Sequence, residues 1–201
     1  DTDVCASAQL VKKYGEERCA ALNLDVTDCA AIQRYCSSLE SDFSLNHIIT
    51  LAGRALSEEW TSFQDQSLEV IERSIGLNLL GHINIIHEFL PFLKRSEGDR
   101  SVLMISSINA MENFGLPTYS AAKSGLYGFM NGVLNEFGKD GIRINTVSPG
   151  TVVTAATEGE PKDFGKLLKT SALNKFATAD EVADVVFSVC DSFCSMTGQN
   201  V

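Results

Sequence analysis

Tyr119 and Lys123 stand four residues apart in Tyr119-Ser120-Ala121-Ala122-Lys123, a spacing that puts both side chains on one face of a helix. Together they suit proton transfer. A free phenol titrates near about 10 and is a poor acid–base at neutral pH. An ammonium beside it stabilises the phenolate and brings that value toward the working range. Ser107 lies twelve residues before Tyr119 at the end of an apolar run, and Asn78 sits in Asn78-Leu79-Leu80-Gly81. Their hydroxyl and amide could hold a substrate oxygen or a relay water. A tyrosine edge on an amphipathic helix would give the same Tyr–Lys pair, so its meaning depends on context.

The context is the set of elements that must position these side chains. Val4 to Tyr14 reads as a helix, with Val4, Leu10, Val11 and Tyr14 apolar and Gly15 as its stop. Cys19 to Leu24 is a short apolar run of strand character, ending at Asp25. Thr27 or Asp28 can cap a second helix through Leu39. His47 to Leu51 reads as a strand closed by Ala52-Gly53. A helical pattern from about Ser67 to Leu93 carries Val70, Ile75, Leu79, Ile83, Ile86 and Leu90 along one side. Ser101 to Ile105 and Ile142 to Val147 are further strands, separated by a helix from Thr118 to Phe137. A short helix follows around Phe164 to Leu168. Thr178-x-x-Glu181 is a capping box that opens a last helix to about Phe193. Strands that alternate with helices, and lack two-residue alternation, predict a parallel sheet covered on both faces. The expectation is one α/β domain over residues 1–201.

In such sheets ligands sit beyond the carboxyl ends of the strands. Asp25, Ala52-Gly53, Ser106-Ser107 and Pro149-Gly150 occupy those ends, although strand ends also need turn residues for their own sake. Composition narrows the function classes. With 44% apolar and 21% charged residues the chain is that of a folded domain. Its 26 acidic and 16 basic residues give −10, which argues against nucleic-acid or anionic-membrane partners. The most apolar stretch, Ile75 to Ile86, is broken by Gly76, Asn78, Gly81, His82 and Asn84, so no membrane span is expected. Cys5, Cys19, Cys29, Cys36, Cys190 and Cys194 form no C-x-x-C pair and read as reduced thiols of a cytoplasmic protein. His47, His82 and His87 lack metal-ligand spacing and read as packing or surface residues, with no metal expected.

Taken in order, the motifs resemble the short-chain dehydrogenase/reductase family. They are Asp25-Val26-Thr27-Asp28, Ala52-Gly53, Asn78-Leu-Leu-Gly81, Ile105-Ser106-Ser107, Tyr119-x-x-x-Lys123, Arg143-Ile-Asn145, Pro149-Gly150-Thr151-Val152-Val153-Thr154 and Thr197-Gly198-Gln199. The likeness spans essentially the whole chain. It implies a Rossmann-like doubly wound parallel sheet and an oxidoreductase exchanging hydride between a nicotinamide cofactor and an alcohol or carbonyl. By that resemblance Tyr119 is the general acid–base, and Lys123 lowers its pKa and binds the nicotinamide ribose. Ser107 holds the substrate oxygen and Asn78 a relay water. Asp25 and Val26 flank the adenine, Ala52 and Gly53 let backbone approach the cofactor, and Pro149, Gly150, Val152 and Thr154 orient the carboxamide. Asp1, 24 residues before Asp25, lies near the family's ribose-binding acid, which favours NAD, with NADP not excluded. The helices of residues 67–93 and 118–137 are the family's intersubunit bundle, so a homo-oligomer is expected.

Two departures matter. The family's Asn-Asn-Ala-Gly stands here as Thr50-Leu51-Ala52-Gly53, and the fifteen glycines include no G-x-x-x-G-x-G or G-x-G-x-x-G. That turn seats a pyrophosphate on a helix N-terminus. The sheet is therefore expected to be incomplete at both ends, with the first forty residues docked poorly and this 201-residue stretch itself inactive. A non-catalytic dinucleotide-binding sensor or scaffold is the alternative. Retention of Asn78, Ser107, Tyr119 and Lys123 argues for turnover.

Overall fold

Three parallel strands form the sheet of the computed structural model, which describes residues 2–112, 114–154, 164–169 and 171–201, with Phe164 and Lys166 as backbone only. Ahead of the sheet come two helices, α1 (Val4–Tyr14) and α2 (Cys29–Ser38). The strands β1 (His47–Thr50), β2 (Arg100–Ile105) and β3 (Ile142–Val147) lie side by side in that order. His47 pairs with Ser101 and Arg100 with Ile142. Parallel neighbours need long crossovers, and helices supply them. Between β1 and β2 run α3 (Leu68–Ile75), a π-helical turn (Gly76–Leu80) and α4 (Gly81–Arg95). Between β2 and β3 runs α5 (Pro117–Lys139). After β3 come α6 (Phe164–Leu168) and α7 (Ala179–Phe187), the latter prolonged by a second π turn (Ser188–Ser192).

Alternate residues of the inner strands serve opposite faces. Val102, Met104, Ile142 and Ile144 pack with Ile86, Leu93, Leu126, Met130 and Phe137 under α4 and α5. Leu103 and Val147 pack with Val189 and Cys190 on the other face. Both faces of β2 and β3 are thus covered, as a doubly wound sheet requires. The edge strand differs: Ile48 and Thr50 are buried, while Ile49 is 42% exposed. Nothing among the described residues covers that side of β1.

Local signals hold well. Asp3 caps α1 through Ala6 N–H at 2.9 Å, and Gly15 ends it at φ 87°. Of the two candidate caps for α2, Asp28 is the one used, accepting from Ala31 N–H at 2.9 Å. Thr178 and Glu181 close their capping box reciprocally at 3.1 and 2.9 Å. Residues 198–201 run beside the outer edge of β3, with Thr146 bridged to Asn200 in parallel, where the resemblance expects a last strand to begin.

Two expectations are corrected. Residues 19–24 form no strand. An apolar run becomes a strand only when a neighbour takes its N–H and C=O groups, and no described strand lies beside it. The helix expected over 67–93 is interrupted by the π turn at Gly76–Leu80, where Gly81 N–H reaches back to Gly76 O. As expected, the first forty residues dock lightly. α1 buries no residue and α2 only Ile32. No helix among the described residues is long and apolar enough to cross a membrane.

Candidate active site

The rim beyond the strand ends is stitched together by backbone. Ser106 N–H donates to Val147 O at 2.7 Å and Ile108 N–H to Pro149 O at 3.1 Å, which joins the loops after β2 and β3. Helix α5 is tied to the same rim by two serine hydroxyls, one from the rim and one from the helix. Ser106 Oγ donates to Lys123 O at 3.0 Å, and Ser124 Oγ to Ala110 O at 2.8 Å. The helix starts sharply: Leu116 is left-handed at φ 54° and Pro117 takes the first helical position, where its fixed φ suits the turn. Tyr119 is therefore in the first turn of α5, half-buried at the mouth, and Lys123 one turn deeper.

Lys123 is 2% exposed. Its Nζ lies 5.9 Å from the centroid of the Tyr119 ring, so the two side chains share one face as their spacing predicts. The ammonium donates to Ile105 O at 2.9 Å and contacts His82 Nε2 at 3.4 Å. Burial pushes its pKa down to about 8, which leaves most of the charge in place at neutral pH.

Asn78 sits in the middle of the π turn and is fully buried. Its Nδ2 donates to Arg54 O at 2.9 Å and to Ser74 O at 3.0 Å, with Ser74 Oγ at 3.4 Å. Ser74 in turn donates to the buried Glu59 carboxylate at 3.0 Å, and Leu56 N–H donates to its other oxygen at 2.8 Å. The loop after β1 is thereby locked onto the π turn. Asn78 Oδ1 is buried and has no hydrogen-bond partner among the described residues. Gly53 lies against it: a Cβ there would stand 2.7 Å from Asn78 Oδ1 and 3.1 Å from Lys123 Nζ. Gly53, Asn78 and Lys123 therefore pack directly against one another, and only a residue without a Cβ fits between the amide and the ammonium.

The remaining candidates lie apart from this cluster. Ser107 opens a short turn at Ile108–Ala110, its Oγ accepting from Asn109 N–H at 3.2 Å. Val26 packs on the start of α4, where a Cβ on Gly81 would come within 2.6 Å of its Cγ2, and its carbonyl accepts from Asn84 at 3.1 Å. Asp25 is turned onto its own loop, its carboxylate accepting from Thr27 N–H at 2.8 Å and Thr27 Oγ1 at 2.7 Å. Pro149 and exposed Gly150 follow β3, Val152 bridges to Ala177, and Thr154 is half-buried. Asp1 and the acidic Glu158-Gly-Glu160 loop lie outside the described residues.

Three features were not foreseen from the sequence: the π turn, Thr50 and His82. His82 is 1% exposed, with Nδ1 at 2.7 Å from Thr50 Oγ1 and Nε2 toward Lys123. Its reading as a packing residue is half right. Besides packing, it touches the lysine of the site. The available signal was its position four residues after Asn78, on the same helix face.

The described residues fit the nicotinamide end of a dinucleotide. An orphaned amide oxygen and a buried ammonium, two groups able to bond ribose hydroxyls or a water, meet at one glycine.

The chain as a whole is similar to known proteins. Residues 2–201 match the family model described as Enoyl-(Acyl carrier protein) reductase. An uncharacterized short-chain type dehydrogenase/reductase of Sinorhizobium fredii is 30% identical, over 88% of this chain and 71% of the relative. A (3R)-3-hydroxyacyl-CoA dehydrogenase of Canis lupus familiaris is 27% identical, over 98% of this chain and 79% of its own. Among solved structures, an oxidoreductase of the same family from Burkholderia thailandensis superposes with a TM-score of 0.86 at 28% identity. That match covers all of this chain and 78% of the other.

Proposed function

Because the chain belongs to the short-chain dehydrogenase/reductase family, we propose that Tyr119, Lys123, Ser107 and Asn78 are the proton-transfer groups of its nicotinamide-dependent oxidoreductase reaction. The meeting of Asn78 and Lys123 at Gly53, with the Asn78 amide oxygen left unpaired among the described residues, supports this reading most directly. Tyr119 exchanges a proton with the substrate oxygen. Lys123 stabilises the phenolate through space and presents its remaining N–H to a ribose hydroxyl. Ser107 holds the substrate oxygen at the rim, and Asn78 Oδ1 accepts from a relay water. A bound nicotinamide dinucleotide supplies or takes the hydride. Ala52 and Gly53 admit it to the rim, Pro149, Gly150, Val152 and Thr154 meet its carboxamide end, and Asp25 with Val26 meets its adenine end.

For the dinucleotide we infer NAD over NADP. A carboxylate at Asp1 would accept from ribose hydroxyls and repel a 2′-phosphate. The substrate class is an alcohol/carbonyl pair. A 3-hydroxyacyl thioester, as in the name of the canine relative, is the first to assay.

The test is a titration of the 201-residue chain with NAD and with NADP, followed by amide chemical shifts. Shifts are expected at Gly53, Asn78, Lys123 and Gly150, larger for NAD at equal concentration. Affinity is expected to be weaker than micromolar, because the sequence holds no glycine-rich turn for the pyrophosphate. Micromolar binding overturns this account of the cofactor, and shifts confined to other residues overturn the site.

We also infer a homo-oligomer, built on the helical stretch of residues 67–93 and on α5. On α5, Gly128 and Gly132 face open space, where an added Cβ would meet nothing within 4 Å. Glycine within a helix costs about 1 kcal/mol against alanine, a penalty that close approach of a partner helix can offset. Light scattering at micromolar concentration is expected to give at least a dimer mass. A monomer mass contradicts the assignment.

A further inference from the structure

We propose that His82 is a positioning residue for Lys123: a neutral imidazole, anchored through Nδ1–H on Thr50, whose Nε2 accepts one of the three ammonium N–H bonds. The proposal rests on the reading of Lys123 given above, but the hydrogen-bond arrangement is measurable without it.

Donor and acceptor rules fix the tautomer. An ammonium can only donate, so Nε2, at 3.4 Å from Lys123 Nζ, must offer its lone pair. The ring proton then resides on Nδ1, which lies 2.7 Å from Thr50 Oγ1 and donates to it. Both side chains are sealed from water, His82 at 1% and Lys123 at 2% exposure. Ionised His82 would set two cations in contact. Burial and, after it, the Lys123 charge hold the imidazole pKa down to about 3, against a smaller opposing effect from the Ala52 backbone.

The groups facing His82 are few. From α5 comes Lys123. From β1 and the turn after it come Thr50 and the Ala52 backbone, both uncharged, and among the described residues Lys123 is the charge that acts on the ring. Lys123 in turn has two acceptors, Ile105 O at 2.9 Å and His82. These two hold the ammonium beside Gly53 and leave one N–H bond for a ligand or the Tyr119 side. Without the imidazole acceptor, a buried cation loses part of the solvation that replaced water. Its protonated form weakens, and the lysine becomes neutral at lower pH.

Nitrogen NMR of the intact chain tests the arrangement. In the wild type, His82 is expected to show a protonated Nδ1 and an unprotonated Nε2 down to about pH 4. His82→Leu, which removes the acceptor, should lower the Lys123 pKa by about one unit or more. His82→Gln, which can present its amide oxygen in place of Nε2, should keep that pKa within about half a unit of wild type. Thr50→Val removes the anchor of Nδ1–H and should loosen the tautomer preference. A wild-type Nε2–H tautomer overturns the proposal, and this measurement needs no variant to fold. An unchanged Lys123 pKa in a folded His82→Leu chain overturns it as well. The dinucleotide titration is a separate readout. If it maps to the rim while the tautomer is wrong, only the role of His82 falls; if the tautomer holds and dinucleotide shifts lie elsewhere, only the cofactor reading falls.

Discussion

Replacing Tyr119 by Phe lowers carbonyl reduction by about a hundredfold or more, the scale of a lost general acid–base, in a form of the protein that turns over substrate. Dinucleotide affinity should change by no more than about a few-fold, because one oxygen is removed and the ring stays. The structure makes this a clean change. Helix α5 is held at the rim by Ser106 Oγ on Lys123 O and Ser124 Oγ on Ala110 O, neither of which involves the phenol. Lys123 keeps Ile105 O and His82 as acceptors, so its charge stays in place. The effect should therefore fall on kcat and leave the ligand complex formed. Steady-state kinetics with a direct binding measurement separates the two. Turnover within tenfold of wild type in the variant defeats the role given to Tyr119.

The sequence carried some of this arrangement locally and some of it not at all. α1 over Val4–Tyr14 and β3 over Ile142–Val147 match their expected bounds, since each is set by its own pattern and stops. The Thr178–Glu181 box is equally local. Residues 19–24 fail for the opposite reason: a strand depends on a partner, and apolar composition cannot say whether one is present. The π turn is hidden because the apolar stripe continues from Ile75 through Leu79 to Ile83 on either side of it. An inserted residue in the helical ladder leaves that stripe almost unchanged. At the site, the Tyr119–Lys123 face is a spacing and is legible. The acceptors of Lys123 are not, because Ile105 lies 18 residues away in sequence and His82 41. Folding brings them together, and their chemistry follows from burial, which no single segment encodes.

Arg143→Met should cost about 3 kcal/mol of stability or more, the scale of breaking a buried ion pair from one side. The guanidinium is almost wholly buried at the join of β3, α7 and the chain's last segment. Its Nε and Nη2 donate to the two Asp99 oxygens at 2.9 and 2.5 Å. Its remaining N–H bonds go to the carbonyls of Val189 at 3.0 Å, Met196 at 3.3 Å and Cys190 at 2.8 Å. Methionine fills much of the volume and returns none of these donors. Asp99 is about a third exposed and can regain water, which tempers its share; the carbonyls have less recourse. In a chain of this size the loss corresponds to a fall in Tm of about 6–12 °C. Lysine should not rescue it, since one ammonium cannot span a carboxylate and three carbonyls. A pH signature accompanies the loss. Arg143 holds the Asp99 carboxyl below its usual value, mainly through their hydrogen bonds. A depressed native pKa adds stability that is fully present above the unfolded value and fades as pH falls through the native one. The wild type should therefore lose stability in acid below about pH 4, and the variant should lose less over the same window. Thermal unfolding at neutral and acid pH gives both numbers. A Tm within about 2 °C of wild type at neutral pH would remove Arg143 from the load path that joins the last segment to β3, and with it the turn of Pro149 and Gly150.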